Sequence, residues 1–168
     1  MMSAGLDILT PAGQVTLQHE RAAYAIFERR FPGYTIQHTD KDREAPFDGR
    51  IMLRGKSVAL VETKCRADVD IYDFRARYRN RWLITERKLQ RAAACARRER
   101  VPLYGFLFFV RGQVLLVKRL ADARGILIEY DLRETKTKAT VNGGEATRLN
   151  AYVDMADCEP LQLLGMGR

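Results

Sequence analysis

The sequence LYGFLFFV at residues 103–110 constrains the fold of this chain more than any other segment. It is eight residues long and contains no charged side chain. A strand that is apolar on both faces is typical of a sheet that is covered on both sides. Because a membrane span needs about 20 apolar residues, this run is too short to cross a bilayer. It therefore predicts a buried, central strand of an α/β protein, and no membrane partner is expected.

Helix and strand signals on either side of this run predict one α/β domain. Leu17, Tyr24 and Phe27 recur at helical spacing, and Pro32 ends that helix. Two β-favouring segments flank Arg54-Gly55-Lys56, which is a hairpin signal. The expected architecture is a mixed β-sheet flanked by helices, with a core at about residues 14–119 and a C-terminal β extension at about residues 120–168. The predicted helices cover residues 14–30 and 85–98, the second with Thr85 as its N-cap, and the predicted strands cover residues 34–38, 47–53, 57–64, 103–110, 114–119, 136–141 and 145–153, the last two as a hairpin around Asn142-Gly143-Gly144.

Composition narrows the class of protein further. A chain of 168 residues without a Pro/Ser-rich linker suits one domain. Cys65, Cys95 and Cys158 are odd in number and far apart, so neither a disulfide framework nor a zinc site is predicted. That pattern indicates a reducing compartment, and the N-terminus has no Lys or Arg before Arg21, unlike a signal peptide. We expect a cytoplasmic protein.

Positive charge is concentrated in residues 74–100. Ten basic and two acidic residues lie there, and together they account for the whole formal net charge of +8. An Arg-rich block interleaved with aromatic residues is typical of a surface that contacts a phosphate backbone. Alternate arginines on an extended segment would share one face, and Tyr78 or Trp82 could stack on a base. A solvated helix face and a loop with no partner is the alternative. The arginines that we expect to bind nucleic acid are Arg75, Arg77, Arg79, Arg81 and Arg91.

Two carboxylates and one ammonium are predicted to meet on the first hairpin. If it is centred on Gly55, Asp48 and Glu62 each lie seven residues from the centre and face each other, with Cβ atoms about 4.5–5.5 Å apart. Lys64 is two residues beyond Glu62 and projects from the same face. Close carboxylates repel unless a cation lies between them, and Mg²⁺ favours such oxygen ligands. Lys64 could then orient or deprotonate a water, or neutralise charge on a phosphate.

A surface ladder of ion pairs is the alternative for these three side chains. Such ladders are common on half-exposed strands, and a bulged turn would shift the register by one residue. The neighbouring residues, however, include Ile51, Leu60 and Val61. Because a charge in apolar surroundings needs a partner or a role, this context favours the functional interpretation.

The spacing of the hairpin residues is similar to that of a known motif. Pro46-Phe47-Asp48 is followed, after thirteen residues, by Glu62-Thr63-Lys64, and the apolar segment VALV leads into the second tripeptide. This pattern resembles the PD-(D/E)XK motif of the restriction-endonuclease-like nucleases, except that Phe47 separates the proline from the aspartate. The order of elements over residues 14–110, or 14–119 with the extra strand, is similar to that family's common core. The resemblance implies a restriction-endonuclease-like fold of αβββαβ order with extra C-terminal strands.

The resemblance also implies a cofactor and its ligands. Asp48 and Glu62 would bind Mg²⁺, for which Mn²⁺ could substitute, and the carbonyl oxygen of Thr63 would be a further ligand. Lys64 would assist the attacking water.

Positions on the two helices follow from the same resemblance. Many members place an acidic residue of the first helix near the metal, which implies Glu20, with Glu28 as its rival. In some members the second helix approaches the phosphate, which implies Lys88 or Gln90. An ordinary surface role is the alternative for each of these residues.

The function implied is Mg²⁺-dependent hydrolysis of phosphodiester bonds in DNA. Small size and the lack of a separate recognition domain favour structure-directed or weakly sequence-specific cleavage, as in the junction-resolving, recombination and end-processing nucleases of phages and bacteria. The expected location is the cytoplasm of a bacterium or of a phage-infected cell, and a homodimer is one state to consider because many such nucleases dimerise. The alternatives are a non-catalytic nucleic-acid-binding protein on the same fold and a protein-interaction module with a basic helix.

Overall fold

Three helices and eight strands form a mixed α/β architecture within the described residues, which are 11–40, 45–136 and 147–163 of the computed structural model. No helix in these ranges is long and apolar enough to span a membrane. The elements in chain order are α1 (Pro11–Arg30), β1 (Tyr34–His38), β2 (Gly49–Leu53), β3 (Lys56–Arg66), α2 (Ile71–Arg77), β4 (Arg81–Thr85), α3 (Glu86–Glu99), β5 (Leu103–Phe109), β6 (Val114–Ala121), β7 (Asp131–Lys136) and β8 (Thr147–Asp154).

The apolar run becomes β5, an interior strand of the main sheet. The strand order is β1-β2-β3-β5-β6, with β5 parallel to β3 and all other neighbours antiparallel. Phe106 and Phe108 point into the core that α1 covers, whereas Leu103 and Leu107 point into a second core to which α3 contributes Leu89. Because side chains alternate along a strand, covering both faces requires an unbroken apolar sequence. The prediction of a strand buried on both faces is confirmed.

The β2–β3 hairpin has a tighter turn than the sequence predicts. Arg54 and Gly55 alone form the turn, with φ of 49° and 76°, and Lys56 already pairs with Leu53. Positive φ at both central residues is typical of a type I′ turn, whose twist matches that of the flanking strands. If the register of this two-residue turn continued along the hairpin, Asp48 would pair with Val61, and the side chains of Asp48 and Glu62 would point to opposite faces of the sheet.

A β-bulge restores the register that brings the two carboxylates together. Beside Ile51, the pairing shifts so that Val58 is an extra residue on β3. Beyond the bulge, Gly49 pairs with Val61. One position further along the hairpin, Asp48 therefore lies opposite Glu62. At the open end of the hairpin, the pairing register is therefore the predicted one, although the turn is one residue shorter than predicted.

A second, three-stranded sheet of order β4-β8-β7 packs beside the first. The antiparallel pairing of β7 with β8 confirms a late antiparallel pair of strands, and its first strand includes residues 131–135, which were not predicted to be a strand. Residues 137–146, which include the predicted Asn142-Gly143-Gly144 turn and most of the predicted strand 136–141, are outside the described ranges. Strand β4, which sequence reasoning missed, joins this hairpin to the rest of the chain through its pairing with β8.

The predicted extended arginine segment is wrong. Asp70 caps a short helix, α2, by accepting a hydrogen bond from the backbone N–H of Asp73 at 2.8 Å. Arg75 and Arg77 belong to that helix, and two residues along a helix are about 200° apart rather than on one face. Arg79, with φ of 51°, lies in the following turn. These arginines therefore do not form a continuous row.

Two further details of this region also differ from the predictions. Trp82 is 3% exposed and belongs to the core, so its predicted stacking on a base is wrong. Helix α3 begins at Glu86 after Thr85, as expected, but the Thr85 side chain makes no capping hydrogen bond.

Gly105 of β5 makes room for Trp82, and this close approach yields a stability prediction. A Cβ at position 105 would lie 2.9 Å from Trp82 Cη2 and 2.8 Å from Leu120 Cδ1. We expect Gly105→Ala to lower the free energy of unfolding by about 1–3 kcal/mol because the core is overpacked. Urea denaturation measures the change. Trp82→Phe removes the clashing ring atoms, so its cost should be smaller in the Gly105→Ala background than alone; additive costs would contradict this packing.

Candidate active site

The acidic pair lies at the open end of the β2–β3 hairpin, beside a cleft. The backbone N–H of Asp48 donates to the Val61 carbonyl at 2.8 Å, and the N–H of Thr63 donates to Asp48 Oδ2 at 2.8 Å. Glu62 is 4% exposed, and Asp48 is half-buried. Asp48 is thus held against β3 on both sides of Glu62, by its backbone N–H at Val61 and by its carboxylate at Thr63.

The ammonium of Lys88 lies between these two carboxylates. Lys88 Nζ forms an ion pair with Glu62 Oε1 and lies 3.7 Å from Asp48 Oδ2. Burial alone would lower the pKa of Lys88, but the attraction of Glu62 and Asp48 outweighs it and raises that pKa above its usual value. The Lys88 charge therefore offsets part of the repulsion between the two acids.

Helix α3 is fixed over the sheet at both ends, which sets the position of Lys88. Near its start Lys88 pairs with the acids, and at its end Glu99 accepts two hydrogen bonds from the guanidinium of Arg50 on β2. The Glu99 carboxylate raises the pKa of Arg50, and Arg50 in turn lowers the pKa of Glu99. Arg50 also stacks on the Phe47 ring, with its Cζ 4.9 Å from the centroid. The same hairpin thus positions both the acids and the helix above them.

Helix α1 contributes a buried acid and a supporting tyrosine. Glu20 is 6% exposed, and its Oε2 lies 3.9 Å from His38 Nδ1. One turn later, the Tyr24 hydroxyl and Thr63 Oγ1 are hydrogen-bonded at 3.0 Å. Burial raises the pKa of Tyr24 well above its usual value, and the nearby Glu20 and Asp48 carboxylates raise it further, so the phenol stays protonated. Tyr24 therefore holds Thr63, next to Glu62, in place.

The structure separates the two acids of α1 that the resemblance offered as metal neighbours. Glu20 lines the cleft together with Asp48 and Glu62. Glu28 instead accepts a hydrogen bond from the backbone N–H of Ile36 at 2.6 Å, which fixes α1 to strand β1. Glu28 thus serves the fold, and Glu20 is the helix acid at the site.

Lys64 stands at the edge of the same cleft. It follows Glu62 by two residues on β3, so it projects from the same face. Its side chain is exposed and lines a cleft of about 590 Å³ that the three acids also line. An exposed ammonium beside buried carboxylates can reach a bound molecule without leaving the strand.

The predicted nucleic-acid contacts fall in different places. Arg81 lines the cleft and pairs with Asp131 at 3.2 Å. Arg91 lines a second groove of about 960 Å³, to which Thr85 and Lys88 also belong, so the groove and the cleft adjoin. Gln90 donates to the Tyr130 hydroxyl at 3.0 Å and lines neither space. The exposed residues Arg75, Arg77 and Arg79 are also outside the described lining of both spaces.

Several residues of the site were not identified from the sequence. Tyr24 is four residues after Glu20 on a helix, and this spacing places both on one face, which was the available signal. Arg66 is held by Asp68 and lies over the Tyr78 ring, with its Cζ 5.2 Å from the centroid. Tyr152, from β8, also lines the cleft; no local pattern in the sequence connects so distant a residue to the hairpin.

The donor set suits a hard divalent cation. In the described part of the chain, no three His, Cys, Asp or Glu side chains are grouped so as to hold a metal ion. Asp48 and Glu62 nevertheless converge on one positive charge, the Lys88 ammonium. Carboxylate and carbonyl oxygens are the ligands that Mg²⁺ prefers. Asp48 and Glu62 are therefore the groups that would hold Mg²⁺ in place of the Lys88 ammonium, and the resemblance adds the Thr63 carbonyl to them.

Removal of the Lys88 charge tests the electrostatic account of this site. We expect Lys88→Met to lower the free energy of unfolding by about 1–3 kcal/mol, because two crowded carboxylates lose their counter-ion. Urea denaturation measures the loss, and Arg87→Met, which removes an exposed charge from the same helix turn, should cost less.

The pH dependence of that loss provides an internal check. The folded-state pKa of Lys88 is raised above its ordinary value of 10.5, so its stabilisation is present below that pH and disappears as pH rises through the folded-state pKa. The difference between wild type and Lys88→Met should therefore shrink in alkaline buffer. A difference that stays constant to the highest pH at which the protein folds would contradict the ion-pair account.

Comparisons with known proteins do not assign this chain to a family. A scan against protein-family models finds no match, and a search of curated proteins finds none either. The case for a function therefore depends on the geometry and charge of the cleft.

Proposed function

We propose that this protein is a Mg²⁺-dependent nuclease of restriction-endonuclease-like fold that hydrolyses phosphodiester bonds in DNA. One observation carries the proposal: Asp48 and Glu62 both converge on the Lys88 ammonium, and Lys64 projects beside Glu62 from the same strand. Two acids and a lysine in that arrangement suit an activated water and a phosphate, which need a cation and a proton acceptor in the same place.

The element order supports the fold part of the proposal. Helix α1 precedes the hairpin, and helix α3 leads from β3 into the parallel neighbour β5. This is the order that the resemblance implies, with α2 and β4 inserted between β3 and α3. The insertion adds the second sheet to one wall of the cleft without interrupting the hairpin.

Each residue of the cleft has a distinct chemical task in this proposal. Bound Mg²⁺ would supply Lewis-acid activation of the phosphate and of a water. Asp48 and Glu62 would hold the cation. The Lys64 ammonium would orient the attacking water or neutralise charge that develops on the phosphate, and only its neutral amine form could take the proton of that water. Lys88, which lines both the cleft and the adjoining groove, can move its charge from the carboxylates to the substrate.

Charge around the cleft favours a polyanionic substrate. The groove beside it is lined by Arg87, Lys88, Arg91 and Arg148 with Glu86 as the acid among its described lining residues. Contacts of this kind bind a phosphate backbone without reading sequence. Because such contacts recognise the phosphate backbone, they favour cleavage that is weakly sequence-specific and directed by the structure of the DNA.

Cleavage of labelled DNA tests the proposal. We expect the wild type to cut linear duplex, single-stranded or four-way-junction DNA in Mg²⁺ and not in EDTA. Lys64→Ala should lower the rate at least about 100-fold, since a group that stabilises transition-state charge contributes that much. Lys56→Ala removes an exposed lysine from the other end of β3 and should leave the rate unchanged.

Binding without cutting in Mg²⁺ and Mn²⁺ would contradict the proposal. The Lys88 ion pair would then be a structural substitute for a metal, and the chain would be a non-catalytic DNA-binding protein. In that case affinity would fall steeply with salt and would not depend on the divalent cation.

A further inference from the structure

The outer face of the second sheet carries an unusual group of side chains beside the cleft. Leu83 of β4 is directly opposite Tyr152 of β8, and both line the cleft. Leu83 is 44% exposed. Because cross-strand partners have Cβ atoms about 4.5–5.5 Å apart, the two side chains form one continuous apolar surface.

An arginine extends this surface. The Arg133 guanidinium lies over the Tyr152 ring, with its Cζ 5.3 Å from the ring centroid. Arg133 is on β7, diagonal to Tyr152 in the register, since Asp131 is the direct partner of Tyr152. We call Leu83, Tyr152 and Arg133 the outer platform. It combines an aliphatic side chain, an aromatic ring and a planar cation.

The strands that carry the platform pack against the core through their opposite face. Trp82 and Ile84 alternate with Leu83 along β4, and Ala151 and Val153 alternate with Tyr152 along β8; all four are buried in the core. The inner face of the sheet therefore supplies these core residues, whereas Leu83 and Tyr152 of the outer face do not belong to the core. An exposed leucine beside an aromatic ring in a cleft does not contribute to the core.

The charge around the platform identifies the kind of molecule it suits. Arg81, Lys64 and Arg66 line the same cleft, and the adjoining groove is lined by the four cations Arg87, Lys88, Arg91 and Arg148. A molecule that pairs negative charges with flat apolar rings satisfies both surfaces. A nucleic-acid strand has this composition, and its bases stack on aromatic side chains and arginine planes without sequence preference.

We propose that the outer platform stacks an unpaired nucleobase, so that the substrate strand enters the cleft single-stranded. The bases of a continuous duplex are stacked on one another, and such a contact requires a base that is unpaired or flipped out. The duplex part of a branched or flapped DNA would lie along the basic groove. This inference rests on the proposed function, and it specifies the substrate class of the same site.

Fluorescence anisotropy with labelled DNA in EDTA tests the platform, because no strand is cut there. The probes are a 12-nucleotide single strand, the same sequence as duplex, and the single strand with 2-aminopurine in place of one adenine. Tyr152→Ala and Leu83→Ser should each weaken single-strand binding about 5- to 100-fold, as expected for the loss of one base stack. Duplex affinity should change less than twofold, and 2-aminopurine quenching seen with wild type should be lost.

Three control variants separate stacking from other causes. Tyr152→Phe keeps the ring and should bind as wild type does. Leu132→Ser alters a leucine of β7 that is 50% exposed but lies one residue out of phase with Arg133, on the opposite face; it should change neither affinity. Arg91→Ala should weaken single-strand and duplex binding alike, because it removes a phosphate contact.

Equal losses for single strand and duplex with Tyr152→Ala, or no loss for either, would overturn the inference. Thermal unfolding of each variant shows whether a loss of binding reflects a loss of fold, and Leu83→Ser keeps the test decisive if Tyr152→Ala does not fold. Failure of the proposed function is seen separately, as an absence of Mg²⁺-dependent cleavage by wild type. Cleavage together with stacking-independent binding would retain the nuclease and discard the platform.

Discussion

The repulsion between Asp48 and Glu62 is the constraint on which the rest of this site depends. Two neighbouring carboxylates at the open end of the hairpin, one of them almost completely buried, are unfavourable unless a cation lies between them. The fold supplies that cation from α3, through Lys88. Because the acids already require a positive charge at this point, a divalent ion that replaced the Lys88 ammonium, as we propose, would keep them compensated.

Three layers of the fold converge to build this arrangement. A β-bulge in the hairpin sets the acids on one face, and the Arg50–Glu99 pair holds α3 above them. From the other face of the sheet, α1 supports Thr63 through Tyr24 and adds Glu20 to the cleft. The second sheet closes one wall and presents Tyr152 to the same space. Under both proposals, phosphodiester hydrolysis, contacts to the DNA backbone and the contact to an unpaired base would therefore take place in one cleft.

What could be predicted from the sequence was local. The apolar strand β5 and the hairpin follow from hydrophobicity and turn residues. Counting from Gly55 brought Asp48, Glu62 and Lys64 together, although the structure reaches that register through a shorter turn and a bulge that the sequence did not predict. Helix α2 and strand β4 could not be predicted, because a seven-residue helix between arginines carries almost no apolar period. Because α2 and β4 were not predicted, the predictions of an extended row of arginines and of an exposed Trp82 were wrong. Lys88 was expected at a phosphate, but its position between the acids depends on a tertiary contact that no spacing reveals, as does that of Tyr152.

The position of a bound divalent ion is the most direct test of this account. Crystals grown with Mn²⁺, measured at a wavelength where manganese scatters anomalously, would locate the ion without reference to activity. The account predicts one anomalous peak between the carboxylates of Asp48 and Glu62, with the Lys88 ammonium displaced toward the basic groove. Lys88 still bridging the two acids at saturating Mn²⁺, with no peak between them, would contradict it.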